Sequence, residues 1–91
     1  MNNLSTTETP ATTPEAVGQE IQRFLESRTN TTVPSDQDLF QSGLVSSMFA
    51  MELVVFLEQT YAVAIVGPDL KLDNFRTVES MSSLVQRLLD E

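Results

Sequence analysis

SGLVSSMFAMELVVFLE, residues 42–58, is the stretch that decides the fold of this chain. A polar loop ends at Ser46, and the chain then runs from Met48 to Tyr61 without Gly or Pro. Met, Leu, Ala and Glu, which favour helix, are frequent in it. Ser46 is a suitable N-cap, because its side-chain oxygen can accept a hydrogen bond from a free N–H of the first turn. We therefore predict a long helix that opens next to the hydroxyl of Ser47.

This helix is apolar on two sides. At the helical period, one arc faces the core and contains Leu53, Val54, Leu57 and Tyr61. A second arc, about 100° or more away at that period, contains Met48, Met51, Glu52 and Val55. Burial of the second arc in an extended core is the simplest alternative for an average helix. In a small domain a helix cannot be buried all round, so we expect some of Met48, Phe49, Met51 and Val55 to form an exposed contact surface.

Two further helices flank this one. Thr12 or Thr13 can cap a first helix that starts at Pro14 and ends near Arg28, with an apolar stripe formed by Val17, Ile21, Phe24 and Leu25. Thr77 caps a last helix, whose apolar positions are Val78, Met81, Leu84, Val85 and Leu88. The prediction is an all-α bundle of three main helices and one short helix. It spans residues 14–91 and follows a flexible tail of residues 1–13.

The connections carry apolar residues that should anchor them. Residues 29–46 form a long loop, with Leu39, Phe40, Leu44 and Val45 as its anchors. Residues 62–66 are rich enough in β-branched side chains to suggest a strand, but no second stretch has a matching strand pattern, so we expect an extended connector that inserts Val63 and Ile65. Residues 69–74 suggest one short helical turn, with anchors at Leu70, Leu72 and Phe75.

The composition limits the possible functions. The 91 residues, 41% of them hydrophobic, suffice for one small core, and the net charge of -8 disfavours nucleic acids and anionic membranes as partners. The chain has no Cys and no His, so thiol chemistry, the usual zinc ligands and the commonest general base are missing. No apolar run approaches the roughly 20 residues of a membrane span. We expect a monomeric, cytoplasmic protein that is not an enzyme and binds no metal.

The stretch from Asp38 to Met48, followed by Glu-Leu at 52–53 and Phe-Leu-Glu at 56–58, resembles the acyl carrier proteins. The likeness covers roughly residues 16–89. In that family a Ser followed by Leu or Met opens the second helix and takes a 4'-phosphopantetheine arm from coenzyme A. Ser47 matches this position, because Met48 follows it and the Glu-Leu pair lies five residues further on. D-alanyl carriers share this layout, so the resemblance assigns Ser46 as the helix cap and Ser47 as the modified residue.

One position departs from the family pattern: Ser46 stands where Asp is usual. In the family, an Asp at this position stabilises the helix N-terminus by its charge and contacts the basic transferase. Ser46 can still cap the helix, but it lacks the negative charge. The resemblance implies a non-catalytic carrier whose arm holds a thioester. It also implies that partner enzymes recognise the helix, through Met48, Phe49, Met51, Glu52, Val55 and Glu58.

A narrower likeness concerns the cargo. Residues 47–58 and 73–78 look like discrete carriers of glyceryl, hydroxymalonyl or methoxymalonyl units in polyketide-type pathways. The implied partners are a phosphopantetheinyl transferase, an acyl- or glyceryl-loading enzyme, and a ketosynthase or acyltransferase. The alternatives are an aminoacyl or peptidyl carrier and an unmodified helical interaction module, which would need the apolar contact surface but not Ser47.

Overall fold

The computed structural model describes residues 13–91, in which three α-helices surround one core. Helix α1 spans Pro14–Thr29, α2 spans Ser47–Tyr61 and α3 spans Val78–Leu89, with two short 3-10 helices, Gly67–Asp69 and Leu72–Phe75, between α2 and α3. Residues 13–91 contain no β-strand, and none of their helices is long and apolar enough to cross a membrane. The predicted all-α bundle is confirmed. The predicted tail lies outside the described residues except for Thr13.

Hydroxyl side chains start all three helices. The Thr13 hydroxyl accepts the N–H of Ala16 at 3.2 Å, and the Thr77 hydroxyl accepts the N–H of Ser80 at 2.9 Å. Ser46 caps α2 in the same way. Each cap satisfies a backbone N–H that has no partner within the helix, so the helix starts are defined locally.

Every helix buries one apolar stripe. The fully or almost fully buried apolar residues are Val17, Ile21 and Leu25 of α1, Ala50, Leu53, Val54, Leu57 and Tyr61 of α2, and Val78, Met81, Leu84 and Val85 of α3. Helices α1 and α2 run antiparallel, since the Tyr61 hydroxyl at the end of α2 donates to the Glu20 carboxylate at 2.7 Å, while Arg28 at the end of α1 pairs with Glu52 near the start of α2. The predicted core arc of α2 is confirmed.

The long loop is anchored to the core as predicted, with one anchor that the sequence did not reveal. Leu39 and Val45 are buried, and Phe40 and Leu44 pack against the core. Val33 is also fully buried. Its N–H donates to the Glu26 carboxylate at 2.9 Å and its carbonyl accepts from the Gln22 amide at 2.8 Å, so α1 satisfies both backbone groups.

The prediction of one short helix over residues 69–74 was wrong in detail. Two 3-10 helices replace it, because the extended backbone of Lys71 separates them. Phe75 is buried, but Leu70 and Leu72 are 48% and 50% exposed, so they are not core anchors. Successive side chains of an extended backbone point to opposite sides, so side chains two residues apart point to the same side. Leu70 and Leu72 therefore lie together at the surface. The connector before them behaves as predicted, with Ile65 buried and Val63 partly buried.

Candidate functional site

The two serines at the start of α2 have different surroundings. The Ser46 hydroxyl accepts the N–H of Phe49 at 3.1 Å, and its extended backbone makes it the residue before the first helical turn. Ser47 is the first residue of α2 and is exposed. Its hydroxyl makes no hydrogen bond to any residue in the range 13–91. One hydroxyl is therefore occupied by the helix, while the other faces solvent on a backbone that the helix holds in place.

The loop that leads to these serines is tied to the second 3-10 helix. The Leu39 N–H donates to the carbonyl of Arg76 at 2.7 Å, and the Val45 N–H donates to the carbonyl of Leu39 at 3.0 Å. The Asp38 carboxylate accepts the N–H of Gln41 at 2.8 Å and pairs with Arg76 at 3.1 Å. These bonds lower the pKa of Asp38, the one from Gln41 most, although partial desolvation opposes them. The loop thus gives α2 a fixed starting point.

A shallow groove of about 260 Å³ lies beside Ser47, between α2 and the segment 70–75. Apolar side chains form most of its lining: Ala50, Met51 and Val54 from α2, and Leu70, Leu72 and Phe75 from the facing segment. Lys71 is the one charged residue in the lining. It forms no salt bridge within residues 13–91, so its ammonium group can meet an anionic group near Ser47. The sequence pattern predicted Leu70, Leu72 and Phe75 only as anchors and did not predict this groove.

The second arc of α2 is exposed in part. Met48 is 84% exposed, Met51 58% and Val55 48%. Phe49 is instead partly buried and stacks beside Phe24, with the ring centroids 6.1 Å apart. The exposed contact surface of α2 thus consists of Met48, Met51 and Val55, and Phe49 is not part of it.

Both acidic residues assigned to partner recognition are engaged within the protein. The Glu52 carboxylate pairs with Arg28 at 2.6 Å. The Glu58 carboxylate accepts the backbone N–H of Ile65 at 2.9 Å, which ties the connector to α2. Their residue types and positions on α2 were visible in the sequence, but these partners lie in other elements. No group of three or more possible metal-binding side chains occurs in the part of the chain that the structure describes.

Known relatives are similar to more than half of this chain. The D-alanyl carrier protein of Lactococcus lactis subsp. cremoris is 30% identical over 56 residues, which are 62% of this chain and 71% of that protein. The D-alanyl carrier protein of Lactobacillus delbrueckii subsp. bulgaricus is 27% identical over 56 residues, covering 62% and 70%. The acyl carrier protein PigG of a Serratia species is 43% identical over 54 residues, covering 59% and 62%.

No protein-family model matches the chain. The similarity to the Lactococcus protein, with the confirmed helical bundle and its long first loop, nevertheless defines the family. The protein is accordingly a carrier, and the chain belongs to the acyl carrier protein family.

Proposed function

We propose that this carrier holds a biosynthetic acyl group as a thioester on a 4'-phosphopantetheine arm attached to Ser47. The observation that carries the proposal is the difference between the two serines: Ser46 caps α2, whereas Ser47 is exposed and its hydroxyl makes no hydrogen bond within residues 13–91. When attached, the arm supplies the thiol that forms the thioester. The absence of Cys from the chain is therefore compatible with the function.

The surroundings of Ser47 suit the phosphate of such an arm. The first turn of α2 contains no acidic residue, so the partial positive charge of the helix N-terminus is not already compensated there. Lys71 lies across the adjacent groove and adds a cation. The loss of the usual Asp at position 46 removes a contact for the transferase, but it also removes a charge that would repel the phosphate.

The proposed partners follow from this role. They are a phosphopantetheinyl transferase, an enzyme that loads the acyl or glyceryl group, and a ketosynthase or acyltransferase that accepts it. Met48, Met51 and Val55 offer them an exposed apolar contact, to which the flexible methionine side chains can adapt. A modest contact of this kind allows binding and release, which a carrier that visits several enzymes requires.

The proposed cargo is a short acyl group of polyketide or related metabolism, such as a glycerate-derived three-carbon unit. Support comes from the likeness of residues 47–58 and 73–78 to discrete carriers of such units. A second candidate is an aminoacyl group, because two of the relatives above are named D-alanyl carrier proteins. Fragmentation of the arm from protein trapped in its loaded form distinguishes the two by mass.

Attachment is tested by incubating the protein with coenzyme A and a phosphopantetheinyl transferase and measuring its intact mass. We expect one phosphopantetheinyl group on the wild type and on Ser46→Ala, and none on Ser47→Ala. Circular dichroism should show that Ser47→Ala remains folded, because the Ser47 hydroxyl makes no hydrogen bond within residues 13–91. An equal mass gain in Ser47→Ala would refute the site. No gain with any of several transferases would instead favour the unmodified interaction module.

A further inference from the structure

Lys71 is the one lysine of the chain, and its backbone is held in place beside the groove that contains Ser47. The Lys71 carbonyl accepts the N–H of Asn74 at 3.1 Å, and the side-chain amide of Asn74 donates to the carbonyl of Asp69 at 2.8 Å. These bonds close a turn around Lys71. Its side chain is exposed and makes no hydrogen bond or salt bridge within residues 13–91. The backbone of this cation is therefore fixed, while its ammonium group is free.

The acids on either side of Lys71 in the sequence are already paired with arginines. Asp69 pairs with Arg87 at 2.6 Å, and Asp73 pairs with Arg76 at 2.9 Å. No acidic residue lines the groove in which Lys71 lies. The charge of Lys71 is therefore uncompensated in its groove, although the net charge of the whole chain is -8.

An uncompensated cation in an otherwise uncharged groove favours an anionic occupant. An ammonium group binds phosphate through charge-assisted hydrogen bonds. When Ser47 carries the arm, the phosphate is bonded directly to the Ser47 oxygen, and Ser47 lines the same groove as Lys71. A carboxylate at the far end of the arm has no such fixed position. The phosphate is therefore the anion that the charge and the position of Lys71 fit.

We propose that Lys71 is a positioning residue, which pairs with the phosphate of the arm and holds the base of the arm on the side of α2 that faces residues 70–75. The proposal rests on the proposed attachment to Ser47 and adds a direction to it. Arg28 also lies beside the first half of α2, but it is paired with Glu52 at 2.6 Å and so does not compete for the phosphate.

The reactivity of the single lysine tests this pairing in the wild type. The protein is modified with coenzyme A and a phosphopantetheinyl transferase, the thiol of its arm is capped with iodoacetamide, and its amines are acetylated with limiting reagent. Mass spectrometry of the digested protein gives the acetylation rate of Lys71, with the N-terminal amine as internal reference. We expect Lys71 to react about 1.5- to 5-fold more slowly than in the unmodified protein, the ratio that one exposed ion pair provides. At about 1 M salt the two rates should converge.

A second cap distinguishes the phosphate from an anion at the end of the arm. Iodoacetate in place of iodoacetamide adds a carboxylate to the cap and leaves the rest of the arm unchanged. Equal protection of Lys71 with both caps supports the phosphate as its partner. Protection only with iodoacetate would overturn the proposal, because the partner of Lys71 would then be a carboxylate in the position of the cargo.

Three variants assign the contact to the side chain of Lys71. The phosphorus NMR signal of the arm should shift in Lys71→Gln and stay close to its wild-type position in Lys71→Arg, which keeps the charge. Arg23→Gln is a matched control, since it removes the same charge from an exposed residue without a salt bridge within residues 13–91. Arg23 acts on Tyr61, at the other end of α2 from Ser47, so its removal should leave the phosphorus signal unchanged. Far-UV circular dichroism checks that all three variants are folded.

The outcomes separate this pairing from the attachment itself. A mass gain at Ser47 with equal acetylation rates of Lys71 in both forms would refute the pairing and leave the attachment intact. The absence of any mass gain would refute the attachment, and the pairing with it. An equal shift of the phosphorus signal in Lys71→Gln and Arg23→Gln would also overturn the pairing, because the shift would then follow the net charge alone.

Discussion

Replacing Ser46 tests how α2 begins and what the missing Asp means for stability. Three substitutions separate the two contributions of this residue. Ser46→Ala removes the oxygen that accepts the N–H of Phe49 at 3.1 Å. Ser46→Asn keeps an acceptor without charge, and Ser46→Asp keeps an acceptor and adds a negative charge at a helix N-terminus whose first turn has no acid.

The expected energies follow from these contacts. Loss of the cap in Ser46→Ala should lower the free energy of unfolding by about 1 kcal/mol. In a domain of this size that change lowers the melting temperature by roughly 4–8 °C. Ser46→Asp should exceed Ser46→Asn by about 0.3–1 kcal/mol at low salt, because the charge interacts with the helix dipole. The net charge of -8 opposes this gain by general repulsion, so the lower part of that range is expected.

Urea and thermal unfolding, followed by far-UV circular dichroism, measure the series. At about 1 M salt the screening length falls to roughly 3 Å, so the advantage of Asp over Asn should shrink while the loss in Ser46→Ala remains. Equal stability of Ser46→Ala and wild type would refute the role of Ser46 as cap. An Asp variant no more stable than the Asn variant at low salt would show that the dipole term is negligible here.

Two further predictions concern stability. The hydrogen bond from Gln41 and the ion pair with Arg76 lower the pKa of Asp38, so the stability that its carboxylate contributes is present above the unfolded pKa of about 3.9 and is lost as the pH falls through the lower folded pKa. The free energy of unfolding of Asp38→Asn, measured in urea, should therefore differ from that of the wild type at neutral pH and converge with it at strongly acidic pH. A constant difference across this range would contradict the assignment. Ala62 ends α2 with a φ of 56°, so Ala62→Gly should raise the free energy of unfolding by about 0.5–1 kcal/mol, because relief of left-handed strain exceeds the added entropy of the unfolded chain. Ala64 is exposed and has no positive φ, so the control variant Ala64→Gly should be less stable than the wild type in the same thermal unfolding assay. Destabilisation by both substitutions would contradict the strain at Ala62.

The helices were predictable because their signals are local. Thr13, Ser46 and Thr77 cap them, and the apolar stripes recur at the helical period within single elements. The buried faces of α2 and α3 and the anchors Leu39 and Val45 followed from the same patterns. The division of residues 67–75 into two 3-10 helices could not be predicted from such patterns, because it depends on how a short segment fits against α2 and α3.

The sequence by itself determined where the helices start, which of their faces are buried, and that Ser47 follows the capping residue. Capping bonds and apolar periodicity act over a few residues, so they can be read along the chain. Only the tertiary structure decided the partners of the charged groups: Arg28 meets Glu52, 24 residues away, because α1 and α2 pack antiparallel. The groove beside Ser47 has the same origin, since it is formed by side chains from α2 and from the segment 70–75, whose distance is set by packing and not by their order in the sequence.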